Sequence, residues 1–252
     1  MKETAIFMSV FNEGKYLCDS IDSVLSQTYR DFILFIYNDA STDNTKEILE
    51  SYKDHDKIKI IHGEENLGAG SRCHNRLVQE INNITFKYIA LCDGSDLYYP
   101  EKLEKQVKLA NENDELGIVG CYYEHIDLND NFIQTVKPLE IDDMSIKKMA
   151  YFSDRQSGAP SLYRLSVLKK VGFWDDRVLR CYDTDLHVRM MRHCKVQTIP
   201  EVLYGYRVDG AHSEDKVASW TDWFKRLRYK WYCEQIGIEW EPDYYLNNHF
   251  GS

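Results

Sequence analysis

The first hundred residues alternate short apolar runs with helix-patterned stretches, and this alternation constrains the fold more than any other feature. TAIFMSV (4–10), FILFIY (32–37), KIKIIH (57–62) and KYIAL (87–91) have strand length and strand composition. Between them Leu17, Ile21, Val24 and Leu25 recur at helical spacing, as do Ile48, Leu49 and Tyr52. Ala69, Cys73, Leu77 and Ile81 then repeat every four residues, and Pro100 opens a further helix, PEKLEKQVKLANEN. Strands with so few polar positions have no face to give to water. They predict a mostly parallel sheet covered by helices on both sides, an α/β fold. Ligands of such sheets bind beyond the carboxyl ends of the strands, where Asn38-Asp39 and Asp93–Asp96 fall. Asn44 with Glu47 predicts a capping box ahead of Ile48.

The second half is less regular. GIVGCYYEHID and NFIQTVKP predict an antiparallel pair across Asn129-Asp130-Asn131. SLYRLSVLKKVGFWDD reads as a strand, a short helix and a loop, DTDLHVRMMRHC as a helix, and KVQTIPEVLYGYRV as one strand or two. In SWTDWFKRLRYKWYCEQIGI an amphipathic helix would set Trp220, Trp223 or Phe224, Leu227 and Trp231 on one side. Its basic, aromatic stretch KRLRYKW reads as core plus solvated face, or as peripheral membrane contact.

With 252 residues, 43% of them hydrophobic, the chain suffices for one large domain or a domain with an appendage. A net charge of −10 argues against nucleic acid as the main partner. No apolar run approaches the roughly 20 residues of a membrane span, and the N-terminus does not read as a signal peptide. Seven cysteines without a CxxC pair read as reduced thiols of a cytoplasmic protein.

The chemistry concentrates in acids. In LCDGSDLYYP a strand runs into Asp93, Ser95 and Asp96. Carboxylates this close need a cation or strong donors between them, although an isolated turn of this kind often only caps a helix. Asp183 and Asp185 open a helix, where acids complement the dipole. Asp185 stands one turn before Arg189 and reads as its structural partner. His212 follows a strand that returns toward the same edge.

MSVFNEGKYLCDSIDSVLSQTYRDF, FIYNDASTDNT, ENLG, YIALCDGSDLYYPEKL and then VGFWDD with YDTDLHVRM resemble, in order and spacing, the family 2 glycosyltransferases. The resemblance covers about residues 4 to 210. It implies a GT-A fold over residues 1–215, with a Rossmann-like nucleotide-sugar half (1–100), an antiparallel acceptor half (101–215) and a C-terminal helical extension (216–252). It implies inverting transfer of a sugar, in the service of polysaccharide assembly, to a saccharide or lipid-linked acceptor. Asp39 would read the base, which points to uridine diphosphate. Ser9 and Phe11 would line the base pocket, and Glu13, Arg72 and Asp93 would serve the donor. Asp183 takes the slot of the catalytic base, with Tyr182 where most members have Glu.

The family pattern Asp-x-Asp-Asp is here Asp93-Gly94-Ser95-Asp96, with serine at the position that usually touches the cation. A manganese or magnesium ion held by Asp93, Ser95, Asp96 and His212 is therefore expected to bind weakly. The same serine motivates the alternative of a sugar-nucleotide-binding protein without transfer. A nucleotidyltransferase would need a glycine-rich, basic N-terminal loop, and FMSVFNEGKY has one glycine and no arginine.

Overall fold

The computed structural model describes residues 3–81, 85–137 and 158–208, together with Leu227, Lys230, Trp231 and Glu234. Strand β1 (Thr4–Val10) lies between β2 (Phe32–Asn38) and β4 (Tyr88–Leu91), parallel to both, and β3 (Ile58–His62) extends the sheet beyond β2. The chain winds outward from β1 to β3 and then returns to the far side of β1. That reversal opens a crevice at the strand ends. β8 (Leu162–Arg164) joins β4 antiparallel, and β6 (Leu116–Ile126), β9 (Lys195–Arg207) and β5 (Leu97–Tyr98) follow. The expected antiparallel pair is β6 with β7 (Phe132–Val136).

Both faces of the sheet are buried, which is why its strands lack polar positions. Ile6, Met8, Leu34 and Ile36 pack with Leu17 and Ile21 of α1 (Leu17–Leu25) and Leu103 and Val107 of α4 (Lys102–Glu112). Ala5, Phe7, Phe35 and Leu91 face the other way. They pack with Leu77 of α3 (Gly70–Glu80), Leu168 of α5 (Leu165–Val171) and Met190 of α6 (Tyr182–Met191). Each fully buried side chain of this size contributes about 1.5–3 kcal/mol, so the sheet is a rigid platform for what its ends carry.

One local expectation changes, and one left open is decided. Helix α2 (Thr45–Ser51) starts after Asn44, but no side-chain cap bond comes from Asn44. Asp43 supplies it instead, accepting from Thr45 N at 3.0 Å and Gly14 N at 3.1 Å, because it also ties the helix to the β1 loop. The KVQTIPEVLYGYRV segment is one strand, shifted in register where Cys121↔Ile199 gives way to Tyr122↔Val202. The intervening Pro200 has no N–H to give to a ladder, and a bulge accommodates it. Of the C-terminal segment, Leu227, Lys230, Trp231 and Glu234 are helical; Trp220, Trp223, Phe224 and His212 lie outside the described residues.

Candidate active site

The loop after β1 is stitched to the loop after β2. Thr42 N donates to Asn12 Oδ1 (2.8 Å), Asn12 N to Ser41 Oγ (3.0 Å) and Glu13 N to Thr45 Oγ1 (3.0 Å). Asn12 and Ala40 both take left-handed backbone at φ 57°, a conformation held only where the surroundings enforce it. Ser9 is half-buried near the end of β1, and Phe11 beyond it is 46% exposed, an open aromatic surface at the crevice. Asp39 is buried; its Oδ1 accepts Leu67 N at 2.8 Å and its carbonyl accepts Asn66 Nδ2 at 3.2 Å. Asp39 therefore holds the Asn66-Leu67-Gly68 loop. Arg72 donates to the carbonyls of Leu67 (3.0 Å) and Asp176 (3.2 Å), and Asn75 to Trp174 O and Asp176 Oδ1. Both join α3 to the loop after α5, and Arg72 braces the Asp39 side of the crevice through Leu67.

The turn after β4 separates its two acids. Asp96 is 2% exposed, and each oxygen accepts a hydrogen bond, from Tyr204 Oη (2.6 Å) and Arg207 N (2.8 Å). Arg207 Nε also donates to the carbonyl of Ser95 at 2.7 Å, and its Nη1 pairs with Asp130 at 2.6 Å. The end of β9 thus clamps the turn from below, and Asp96 is its pin rather than a carboxylate left open for a cation. Asp93, half-buried, accepts no side-chain hydrogen bond among the described residues. Burial and the negative charge of Asp183 raise its pKa to about 6. Glu13 is raised to about 7 by burial, by Asp93 and by Asp43, with Arg207 opposing. Gly94 is required by close approach, since a Cβ there would lie 2.5 Å from Val10 Cγ1.

Asp183 enters from the other half of the chain, in the first turn of α6 after Cys181 with φ 52°. Gly158 N (2.8 Å) and Thr184 N (2.9 Å) donate to its two oxygens, fixing the orientation of the side chain. Gly158 must be glycine, because a Cβ would lie 2.5 Å from Asp183 Cβ. The Tyr182 hydroxyl likewise rests on Gly70 at the start of α3, where a Cβ would lie 2.4 Å away. Asp185 turns away from the crevice, fully buried, and pairs with Arg189 at 2.8 Å as its i,i+4 spacing predicts.

Among the described residues no group of three His, Cys, Asp or Glu side chains is arranged to hold a metal ion. The uncommitted Asp93 carboxylate, beside two other acids, would be the protein ligand to a divalent cation here. Tyr204, Arg207 and Gly158 were not evident from the sequence. The only available signal was that β9, read as a strand, had to end at the same edge.

Carboxylates from the loops after β1 and β4 and from a helix of the second half thus gather at the switch-point edge of the sheet, in a fold of the GT-A kind. The profile of Glycosyl transferase family 2 matches residues 5–172, and the chain belongs to that family. It is 32% identical over 235 residues to an uncharacterized glycosyltransferase of Rickettsia typhi, covering 88% of this chain and 72% of that one. It is 31% identical over 209 residues to one from Methanocaldococcus jannaschii, covering 81% and 70%. Among solved structures, S. aureus TarS superposes with TM-score 0.71 at 15% identity, over 96% of this chain and 68% of that one. The mannosyltransferase PcManGT from Pyrobaculum calidifontis, in complex with GDP-Man and Mn2+, superposes with TM-score 0.66 at 14% identity, over 98% and 70%. At these identities the structural likeness is one of fold. No helix among the described residues is long and apolar enough to cross a membrane.

Proposed function

We propose that this glycosyltransferase moves a sugar, with inversion, from a UDP-sugar to a hydroxyl of a saccharide or lipid-linked acceptor, with Asp183 as general base. One observation carries the reading. Asp93 and Asp183, far apart in sequence, come close enough for the charge of one to raise the pKa of the other. The first edges the nucleotide half and the second is fixed by two backbone amides. In the proposed step the acceptor oxygen bonds to the anomeric carbon as the bond to the diphosphate breaks, and the acceptor proton passes to Asp183. Asp39, Ser9 and Phe11 hold the base, and Asp93 anchors the diphosphate side. A divalent ion, when bound, supplies positive charge to the leaving diphosphate. Glu13 and Arg207 set the charge around Asp93, and the turn pinned by Asp96 keeps it in place.

S. aureus TarS has been solved with UDP and with UDP-GlcNAc, and PcManGT with GDP-Man, so uridine and guanosine are the donor arms to compare. Thermal unfolding with UDP, GDP, CDP and ADP, with and without manganese, tests the choice. A ligand at a hundred times its Kd stabilises by about 2.7 kcal/mol, or about 5–10 °C for a chain of this size. UDP with manganese is expected to give the largest rise. Equal rises for all four, or none, contradict the uridine donor. Binding of UDP-sugars without transfer to any acceptor hydroxyl favours the binding-protein alternative that Ser95 motivates.

A further inference from the structure

The two acids of α6 are held from opposite sides. Asp183 is fixed by amides at the crevice, whereas Asp185 lies against the C-terminal segment, where Lys230 Nζ reaches its Oδ1 at 2.5 Å. Lys230 is itself 2% exposed and also lies 3.3 Å from Asp175 and 3.4 Å from Glu234. Glu234 in turn pairs with Arg192, just past the other end of α6, at 3.4 Å. Leu227 and Trp231 pack with Val178 and Val188 and against Cys181 and Tyr182, the residues that lead into Asp183. Leu227, Lys230, Trp231 and Glu234 thus hold α6 at both ends and along its back.

We propose that Lys230 is a positioning residue for sugar transfer, holding the first turn of α6, and so Asp183, through its buried ion pair with Asp185. The proposal rests on Asp183 being the base. Asp185 has no access to water, so each of its oxygens depends on a cation, Arg189 on one and Lys230 on the other. Without Lys230 one oxygen carries buried charge with no donor, which is strongly unfavourable. The least costly escape is to unwind the first helical turn, whose amides lack intrahelical partners and whose lead-in residue Cys181 already sits at positive φ. Asp183 lies in that turn and would leave its place with it.

Lys230→Met keeps the aliphatic stem and removes the charge. Single-turnover transfer is expected to fall about 10- to 100-fold, while UDP affinity, set by the nucleotide half, stays within about twofold. Backbone amides of residues 184–187 should exchange faster than in the wild type. The double variant Lys230→Met with Asp185→Asn removes both charges of the closest pair. It is expected to recover at least about threefold of the lost transfer, the non-additivity expected of two groups in direct contact. Wild-type transfer in Lys230→Met, or a double variant no better than the single, overturns the proposal. If Lys230→Met does not fold, the double variant decides: folded with transfer supports the proposal, and unfolded or inactive overturns it. If the wild type transfers no sugar, the functional reading fails separately. Amide exchange at 184–187, faster or unchanged in Lys230→Met, then still tests the ion-pair grip on α6.

Discussion

The turn after β4 and the first turn of α6 each carry two acids, and in each the two acids meet different fates. Asp93 and Asp183 lie near enough to feel one another's charge, while Asp96 and Asp185 are buried and hold the backbone in place. The pins differ in chemistry. Asp96 is held by neutral donors, the Tyr204 hydroxyl and the Arg207 amide, and burial together with Asp93 pushes its pKa well above the usual carboxyl range. Asp185 is held by two cations, Arg189 and Lys230. A carboxyl that can keep its proton suits a neutral cage beside other acids, and a carboxylate suits a cationic one. The same residue type therefore tolerates different replacements at the two places.

That contrast can be broken by substitution. Asp185→Asn turns an amide N–H₂ toward a lysine or arginine donor and strands buried charge, so a loss of about 3–5 kcal/mol is expected by urea unfolding. Asp96→Ala leaves the Tyr204 hydroxyl and the Arg207 amide without their acceptor, for about 2–3 kcal/mol. Asp96→Asn should cost under about 1 kcal/mol, because the tyrosine hydroxyl can rotate and accept from the new amide. If Asn is as harmful at 96 as at 185, the difference between the two pins is not one of charge.

The smallest expected effect has the opposite sign and depends on pH. Glu13, in the same acidic crevice, has its folded-state pKa raised from 4.5 to about 7. Between those values the folded chain keeps a proton that the unfolded chain has lost, so this contribution to stability falls as pH rises through that window. Glu13→Gln removes the cost. Without ligand it should melt above the wild type at pH 8, by about 2–4 °C for each kcal/mol regained, and level with it near pH 4. A melting temperature below wild type at pH 8 would place Glu13 against a positive charge instead.

The first four strands and their helices were legible because burial on both sides of the sheet leaves an unbroken apolar signature, visible within a few residues. Asp39, Asp93 and Asp183 stood out because they end or begin such elements. The pins were harder to read. Nothing near Asp96 announces that Tyr204 and Arg207 will bond to it from 108 and 111 positions away, and Lys230 lies 45 positions from Asp185. Asp96 therefore read as a cation ligand, and the C-terminal segment as an appendage. The Asp185–Arg189 pair could be foreseen because both ends lie on one helix.

The central claim is that Asp183 takes the acceptor proton while the acid two positions on only holds the helix. The most direct measurement is single-turnover transfer beside UDP binding and melting temperature for Asp183→Asn. Gly158 N and Thr184 N donate to different oxygens of Asp183, so Asn leaves one of these amides without its acceptor, and the fold should lose about 1–3 kcal/mol while remaining folded. Transfer should nevertheless fall by about 10² to 10⁴-fold, with UDP affinity within about twofold of wild type. A folded Asp183→Asn enzyme that binds UDP and transfers sugar at the wild-type rate would contradict the assignment.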